Sequence, residues 1–167
     1  MTFPSSVKLA EGETTESQPG STAPPRSLQR LWFAIQRLEW STLVVLPAGP
    51  EISAHAFGGP LHQVGALAMG DRLRLIDATT VELRETAPLI LDMASASPVR
   101  AAAPRNERVM VLLESVLSRP TGIPIALAAD AAVLCVELGK TTLASARETI
   151  EIVGAQRFVG CVVLPPR

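Results

Sequence analysis

Apolar positions along this chain alternate between two periods. Leu28, Leu31, Trp32, Ile35 and Leu38 recur at the three-to-four spacing of one helix face, which predicts an amphipathic helix from a Ser27 cap to near Trp40. Thr42 to Leu46 is a short continuous apolar run and reads as a strand buried on both faces. Pro47, Gly49 and Pro50 end it, and residues 53–69 read as helix, with a break expected at Gly58-Gly59-Pro60. Further strands are expected over Arg72 to Asp77 and Pro88 to Met93, with a short ribbon through Val81 to Arg84 between them. Glu107 to Leu117 reads as a helix with Val109, Leu112, Leu113 and Val116 inward, and Ile123 to Leu127 as a short strand or irregular run. Ala131 to Leu138 is a buried strand. Lys140 to Val153 is a helix with Leu143, Ala146, Ile150 and Val153 inward, and Phe158 to Leu164 is the last strand.

Strands alternating with helices predict an α/β fold of three layers, α/β/α, around a mostly parallel sheet. Ligands of such sheets bind at the carboxyl ends of the strands. The loops after Leu46, Asp77 and Asp92 are therefore the place to look for a site. Residues 1–26 are rich in Glu, Ser, Thr, Gln, Gly and Pro and are expected to form a disordered tail. Residues 27–167 form a single domain, with an Ala/Ser/Pro-rich loop over Ala94 to Arg105.

Composition narrows the function. A net charge of −1 and a pI near 6.1 argue against a nucleic-acid surface. No apolar run approaches the ~20 residues that span a bilayer, and the start of the chain lacks the charged and apolar regions of a secretory signal. A cytoplasmic protein is expected. Cys135 and Cys161 fall in core strands and read as buried thiols, a disulfide being open only if those strands are neighbours.

The chemistry centres on the loop from Pro47 to Ser53, between a strand and a helix, where a phosphate cradle would lie. Gly49, Pro50, Ile52 and Ser53 occupy it, with Ile52 near the position a phosphate-binding lysine would take. Such a cradle needs that lysine to neutralise the β- and γ-phosphates. The chain has only Lys8 and Lys140, neither of which can reach the loop. Gly139-Lys140-Thr141-Thr142 imitates the end of a phosphate loop, but Leu134 stands where its first glycine should be. It reads as a helix start capped by Thr141 or Thr142. Asp77 and Asp92, each ending an expected strand, sit where a magnesium-holding pair would lie, and are expected as relict or structural acids. His55 and His62, seven apart, have no carboxylate or cysteine at metal spacing, so no metal is expected.

Several of these segments carry a family resemblance. Leu73 to Ala78 resembles the Asp-Ala-Asp strand of bacterial tyrosine kinases and their MinD/ParA-type relatives, the P-loop ATPases with a deviant Walker motif. Leu89 to Asp92 resembles their Walker B strand. The run Ala129 to Thr142, with Asp130 and Gly139-Lys140-Thr141, and the strand Phe158 to Leu164 are similar to the family's last third, and the helix at Leu28 to Leu38 to its N-terminal oligomerisation helix. The chain departs from the pattern at the Walker A lysine and at Thr79, which replaces the second aspartate. Ala94-Ser95 replaces the usual Pro-Pro, and there is no tyrosine at all where the kinases carry a tyrosine tail.

The resemblance implies a degenerate P-loop-like member, a pseudo-ATPase or pseudokinase without cofactor. It would act as scaffold or regulator in capsule, exopolysaccharide or adhesive surface polysaccharide biosynthesis and export. The implied partner is the cytoplasmic segment of an inner-membrane polysaccharide co-polymerase, which would bring the chain to the inner-membrane face. The alternatives are an active ATPase or kinase with an atypical loop, with weak binding of ATP and magnesium left open, and a MinD/ParA-like positioning regulator. Trp32, Phe33 and Trp40 crowd the first helix, with Trp32 on its apolar stripe and Phe33 about 100° off it. Trp32, Phe33 and Arg37 are therefore the candidate interface of a homodimer or small oligomer, or of the co-polymerase contact.

Overall fold

The computed structural model describes residues 25–95 and 107–166. Most of the expected tail and of the expected loop from Ala94 to Arg105 lie outside them. Five parallel strands, β1 (Thr42–Pro47), β2 (Leu73–Asp77), β3 (Arg108–Leu112), β4 (Ala131–Glu137) and β5 (Phe158–Leu164), form one sheet in the order β2-β3-β1-β4-β5. The helices are α1 (Arg26–Gln36), α2 (His55–Met69), α3 (Leu83–Ser95), α4 (Ile123–Ala128) and α5 (Leu143–Val153). The α/β class and its three layers are as expected.

Connection handedness sorts the helices. The crossover from β1 runs one way, to the β2 edge, and every later crossover runs the other way. Right-handed crossovers then place α2 on one face and α3, α4 and α5 on the opposite face. The two cores follow this division. Trp32, Ile35, Phe57, Leu61 and Val64 from α1 and α2 pack with Leu43, Val45, Met110 and Val133. Met93, Ile125, Ala126 and Val153 pack with Val44, Leu46, Val111 and Ala132. Alternate residues of the central strands serve opposite layers, which is why β1 is apolar at nearly every position.

Two elements exchange identity relative to the sequence reading. Pro88 to Met93 is not a strand but the second half of α3, with Thr86 and Met93 buried at helical spacing. Glu107 to Leu117 is not a helix: Arg108–Leu112 is β3, bonded to β1 on one side and β2 on the other. A strand with two neighbours and helices over both faces must be apolar throughout, and Val109-Met110-Val111-Leu112 is. The coincidental spacing of Val109, Leu112, Leu113 and Val116 imitates a helix. Ile123–Ala128 is the short helix α4, and Val81 to Arg84 forms no ribbon but leads into α3. In α5, Leu143 is exposed, and Thr149 and Val153 are the buried positions.

Helix α2 runs through Pro60 without a break. Gly59 has no Cβ to clash with the following proline ring, the contact that turns most residues before proline away from helix. Gly58 and Gly65, two turns apart, press the same helix onto the sheet. An added Cβ would lie 2.1 Å from Leu112 Cδ2 at Gly58, and 2.3 Å from Leu73 Cδ2 at Gly65. Helix α1 begins at Arg26, ahead of the expected Ser27 cap. Its end is held by Arg108, which donates to the Gln36 carbonyl and stacks 4.5 Å over the Trp40 ring. At the amino edge of the sheet, Asp130 Oδ2 accepts from Ser41 N, Thr42 N and Thr42 Oγ1 at 2.9, 2.9 and 3.0 Å, tying the starts of β1 and β4 together.

Candidate functional site

Adjacent strands β1 and β4 send their following chains in opposite directions, β1 toward β2 and β4 toward β5. In open α/β sheets the crevice at such a divergence is where ligands bind. The loop from Pro47 to Ser53 and the turn from Leu138 to Thr142 form its walls. The expected loop thus stands where a ligand would be.

The chain itself fills the crevice. Ala48 N donates to Cys135 O at 2.8 Å, extending β1 along β4, and Thr149 Oγ1 of α5 donates to Ala48 O at 3.3 Å. A Cβ on Gly49 would stand 3.2 Å from Ser145 Oγ, so Gly49 is backed directly by α5. Ser145 is fixed in turn: its backbone N–H donates to Thr142 Oγ1, the cap of α5, at 3.1 Å. Ile52 turns inward and is buried with Ala54, while Pro50, Glu51 and Ser53 face solvent.

The first helical amides of α2 are engaged. His55 N donates to Ser53 Oγ, Ala56 N to Ser53 O, and Phe57 N and Gly58 N both to Ala54 O. Free N–H groups of a first turn are what makes a helix N-terminus an anion site. Here those of His55, Ala56 and Phe57 are taken by Ser53 and Ala54.

Lys140 is likewise engaged. Gly139, with φ +85°, lets the chain reverse after β4, and Lys140 Nζ comes to 2.7 Å from Glu137 Oε1. The Glu137 side chain is only 5% exposed. Thr141 N donates to Glu137 O, and Glu137 N donates to Thr141 Oγ1. Gly139 to Thr142 is a self-bonded turn, with Thr142 the cap.

The two aspartates part company. Asp77 ends β2 at the carboxyl edge, as expected. Its Oδ1 accepts from Thr79 Oγ1 at 2.7 Å and Thr79 N at 3.1 Å, and its Oδ2 lies 3.4 Å from His55 Nε2. The Thr79 hydroxyl above all, with His55 adding a smaller effect, holds the Asp77 carboxyl below its usual range. Asp92 is not at a strand end. It lies near the carboxyl end of α3 and receives both arms of the Arg74 guanidinium at 2.7 and 3.1 Å. Arg74 is three residues before Asp77 on β2, about 10 Å back along the strand. The expected pair cannot share one magnesium ion, because α3 carries Asp92 back down the sheet.

Two acids that sequence reading passed over do reach the carboxyl edge. Glu114 follows β3, the strand beside β1, and Glu137 closes β4. Correct assignment of β3 would have pointed to Glu114. The His55–Asp77–Thr79 cluster joins residues 24 positions apart and carries no local signal. Its hydroxyl and imidazole both approach the carboxylate, with Thr79 Oγ1 3.5 Å from His55 Nε2, which is not the relay of a nucleophilic triad. His62 sits two turns along α2, apart from this cluster, and no group of three or more metal-ligating side chains occurs among the described residues.

The first helix divides its aromatics. Trp32 is fully buried, edge-on to Trp40 at 6.1 Å, so within the candidate interface it belongs to the core and not to the surface. Phe33 is 57% exposed and Arg37 is exposed beside it. The cysteines are both free, Cys135 buried and Cys161 exposed. Cys135 pairs in register with Val162, so the two thiols lie on opposite faces of the sheet.

No protein-family model matches the chain, and no curated protein matches it.

Proposed function

We propose that this protein is a non-catalytic scaffold or regulator built on a P-loop-like fold, acting in the biosynthesis and export of a bacterial surface polysaccharide. One observation carries the non-catalytic part. Part of what a phosphate loop would turn toward a nucleotide is bonded within the chain: the Ala48 amide to β4, and the His55, Ala56 and Phe57 amides to Ser53 and Ala54. A nucleotide would have to break these contacts and gain no loop lysine in return. The polysaccharide setting, and a co-polymerase cytoplasmic segment as partner, rest on the resemblance of Leu73 to Ala78, Ala129 to Thr142 and Phe158 to Leu164 alone.

The test is thermal denaturation with and without ATP and magnesium, followed by co-purification with the co-polymerase. A ligand at about 100 times its Kd stabilises by about 2.7 kcal/mol, or about 5–10 °C in a domain of this size. No shift at millimolar ATP, together with capture of the co-polymerase segment, is expected. A shift of that size, with phosphate release abolished by Asp77→Ala, would replace the scaffold with an ATPase.

A further inference from the structure

The helical layer made by α1 and α2 has an unusual outer face. Neither helix contains an aspartate or glutamate. Along α1 and its cap residue Arg37, Arg26, Arg30, Phe33 and Arg37 follow at spacings of four, three and four, which places them within about 60° of one another around the helix axis. That stripe lies opposite Trp32 and Ile35, which are buried in the core. All four side chains are exposed, and none of the three arginines makes an ion pair among the described residues. Helix α2, packed beside α1, adds no charged residue of its own beyond what its histidines can carry, and presents Leu67 at 74% exposure. The nearest acids in sequence, Glu39, Glu51 and Asp71, lie off the two helices. The opposite layer differs: α3 carries Glu85 and Asp92 beside Arg84, and α5 carries Glu148 and Glu151 beside Arg147.

We propose that the α1–α2 face docks on an anionic phospholipid surface, with the guanidiniums of Arg26, Arg30 and Arg37 on headgroup phosphates and Phe33 at the boundary between headgroups and acyl chains. Charge complementarity selects the partner's sign. The breadth of the face selects a surface over a peptide, since exposed apolar side chains come from both helices and no acid interrupts either one. Arginine with an interleaved aromatic is the composition of interfacial helices. Each basic residue near an anionic leaflet strengthens binding by about fivefold, and three with one aromatic give reversible, salt-sensitive attachment.

The experiment is flotation of the full-length protein with vesicles of phosphatidylcholine containing about 30% phosphatidylglycerol, against vesicles of phosphatidylcholine alone. Binding to the first only, lost between about 0.05 M and 0.5 M salt, is expected. Arg30→Glu should weaken it at least about fivefold, and Phe33→Ser should also weaken it at about 0.05 M salt, where the wild type binds. Arg147→Glu, the same charge change on the opposite layer, should leave most of the binding in place. Absence of flotation, equal binding to both vesicles, or equal loss with Arg147→Glu overturns the proposal. So does capture by polyglutamate without flotation, which would make the partner an acidic polypeptide. The outcome is separate from the scaffold function, because nucleotide response and vesicle binding are measured independently.

Discussion

Replacing Gly65 by alanine sets two effects of opposite sign against each other. In the middle of a helix the change normally stabilises by up to about 1 kcal/mol. Here the added methyl carbon would stand 2.3 Å from Leu73 Cδ2 and 2.7 and 2.8 Å from two ring carbons of Trp32, where carbon atoms pack at about 3.5–4.0 Å. Trp32 has nowhere to go. It is fully buried and edge-on to Trp40, whose indole N–H is fixed on Ile35 O at 2.8 Å. Overpacking of this kind costs about 1–3 kcal/mol. With rigid partners on two sides the upper half applies, so a net loss of about 1–2 kcal/mol is expected, lowering Tm by about 2–8 °C. Urea unfolding of Gly65→Ala against wild type measures it. In a Leu73→Ala background the nearest clash is gone, and the added penalty should fall by half or more. A neutral or stabilised Gly65→Ala, or a penalty undiminished beside Leu73→Ala, would show that α2 is not pressed on the sheet through this glycine.

Asp130→Ala strips three hydrogen bonds from the starts of β1 and β4 and should cost about 1–3 kcal/mol in urea unfolding. A loss under about 0.5 kcal/mol, the range of ordinary surface changes, would make the clamp ornamental. Asp77 has a folded pKa below its unfolded one, so its contribution to stability is present above the unfolded value and lost as pH falls through the folded value. Thr79→Val should raise the Asp77 titration toward about 3.9 in carboxyl NMR, and an unmoved titration would assign the depression elsewhere. Ellman's reagent should find one thiol in the native protein, Cys161, and a second only on unfolding, since burial pushes the Cys135 thiol well up. Two fast thiols would refute the burial of β4.

What the sequence disclosed, and what it concealed, follows from how each segment is buried. Thr42 to Leu46, Ala131 to Leu138 and Phe158 to Leu164 were legible because uninterrupted apolar runs bounded by turn residues admit little else. Arg108 to Leu113 has the same character, but neighbouring apolar residues at 116 and 117 supplied a false helical period. Pro88 to Met93 erred the other way. Its apolar run is short, and the buried Thr86 that completes the helical spacing is not an apolar residue. Those two exchanges displaced the site. The false strand puts Asp92 at the carboxyl edge, and the false helix hides Glu114. In the sequence Thr79 shows only as a missing aspartate, whereas it is the hydroxyl that fixes Asp77.

The loop after β1 shows why a missing lysine is only half of the case against nucleotide binding. A phosphate loop is open because its backbone amides have no partners inside the protein. Substituting the lysine alone would leave that opening in place, as a weak anion site. In this chain the loop is held from both sides. Ile52 is drawn into the α2 core, so the loop bends inward where a cradle would bulge out. Thr149 and Ser145 approach from α5 and occupy the space above Ala48 and Gly49. A lysine at position 52 would therefore place a charge in a site already packed with apolar neighbours. Burial of an unpaired ammonium costs several kcal/mol, more than weak phosphate binding returns. Opening the loop to a phosphate would require loosening α5 and replacing Ile52 together. The contacts that hold this loop are the same contacts that join β1, β4 and α5, so freeing the loop would also loosen the centre of the sheet.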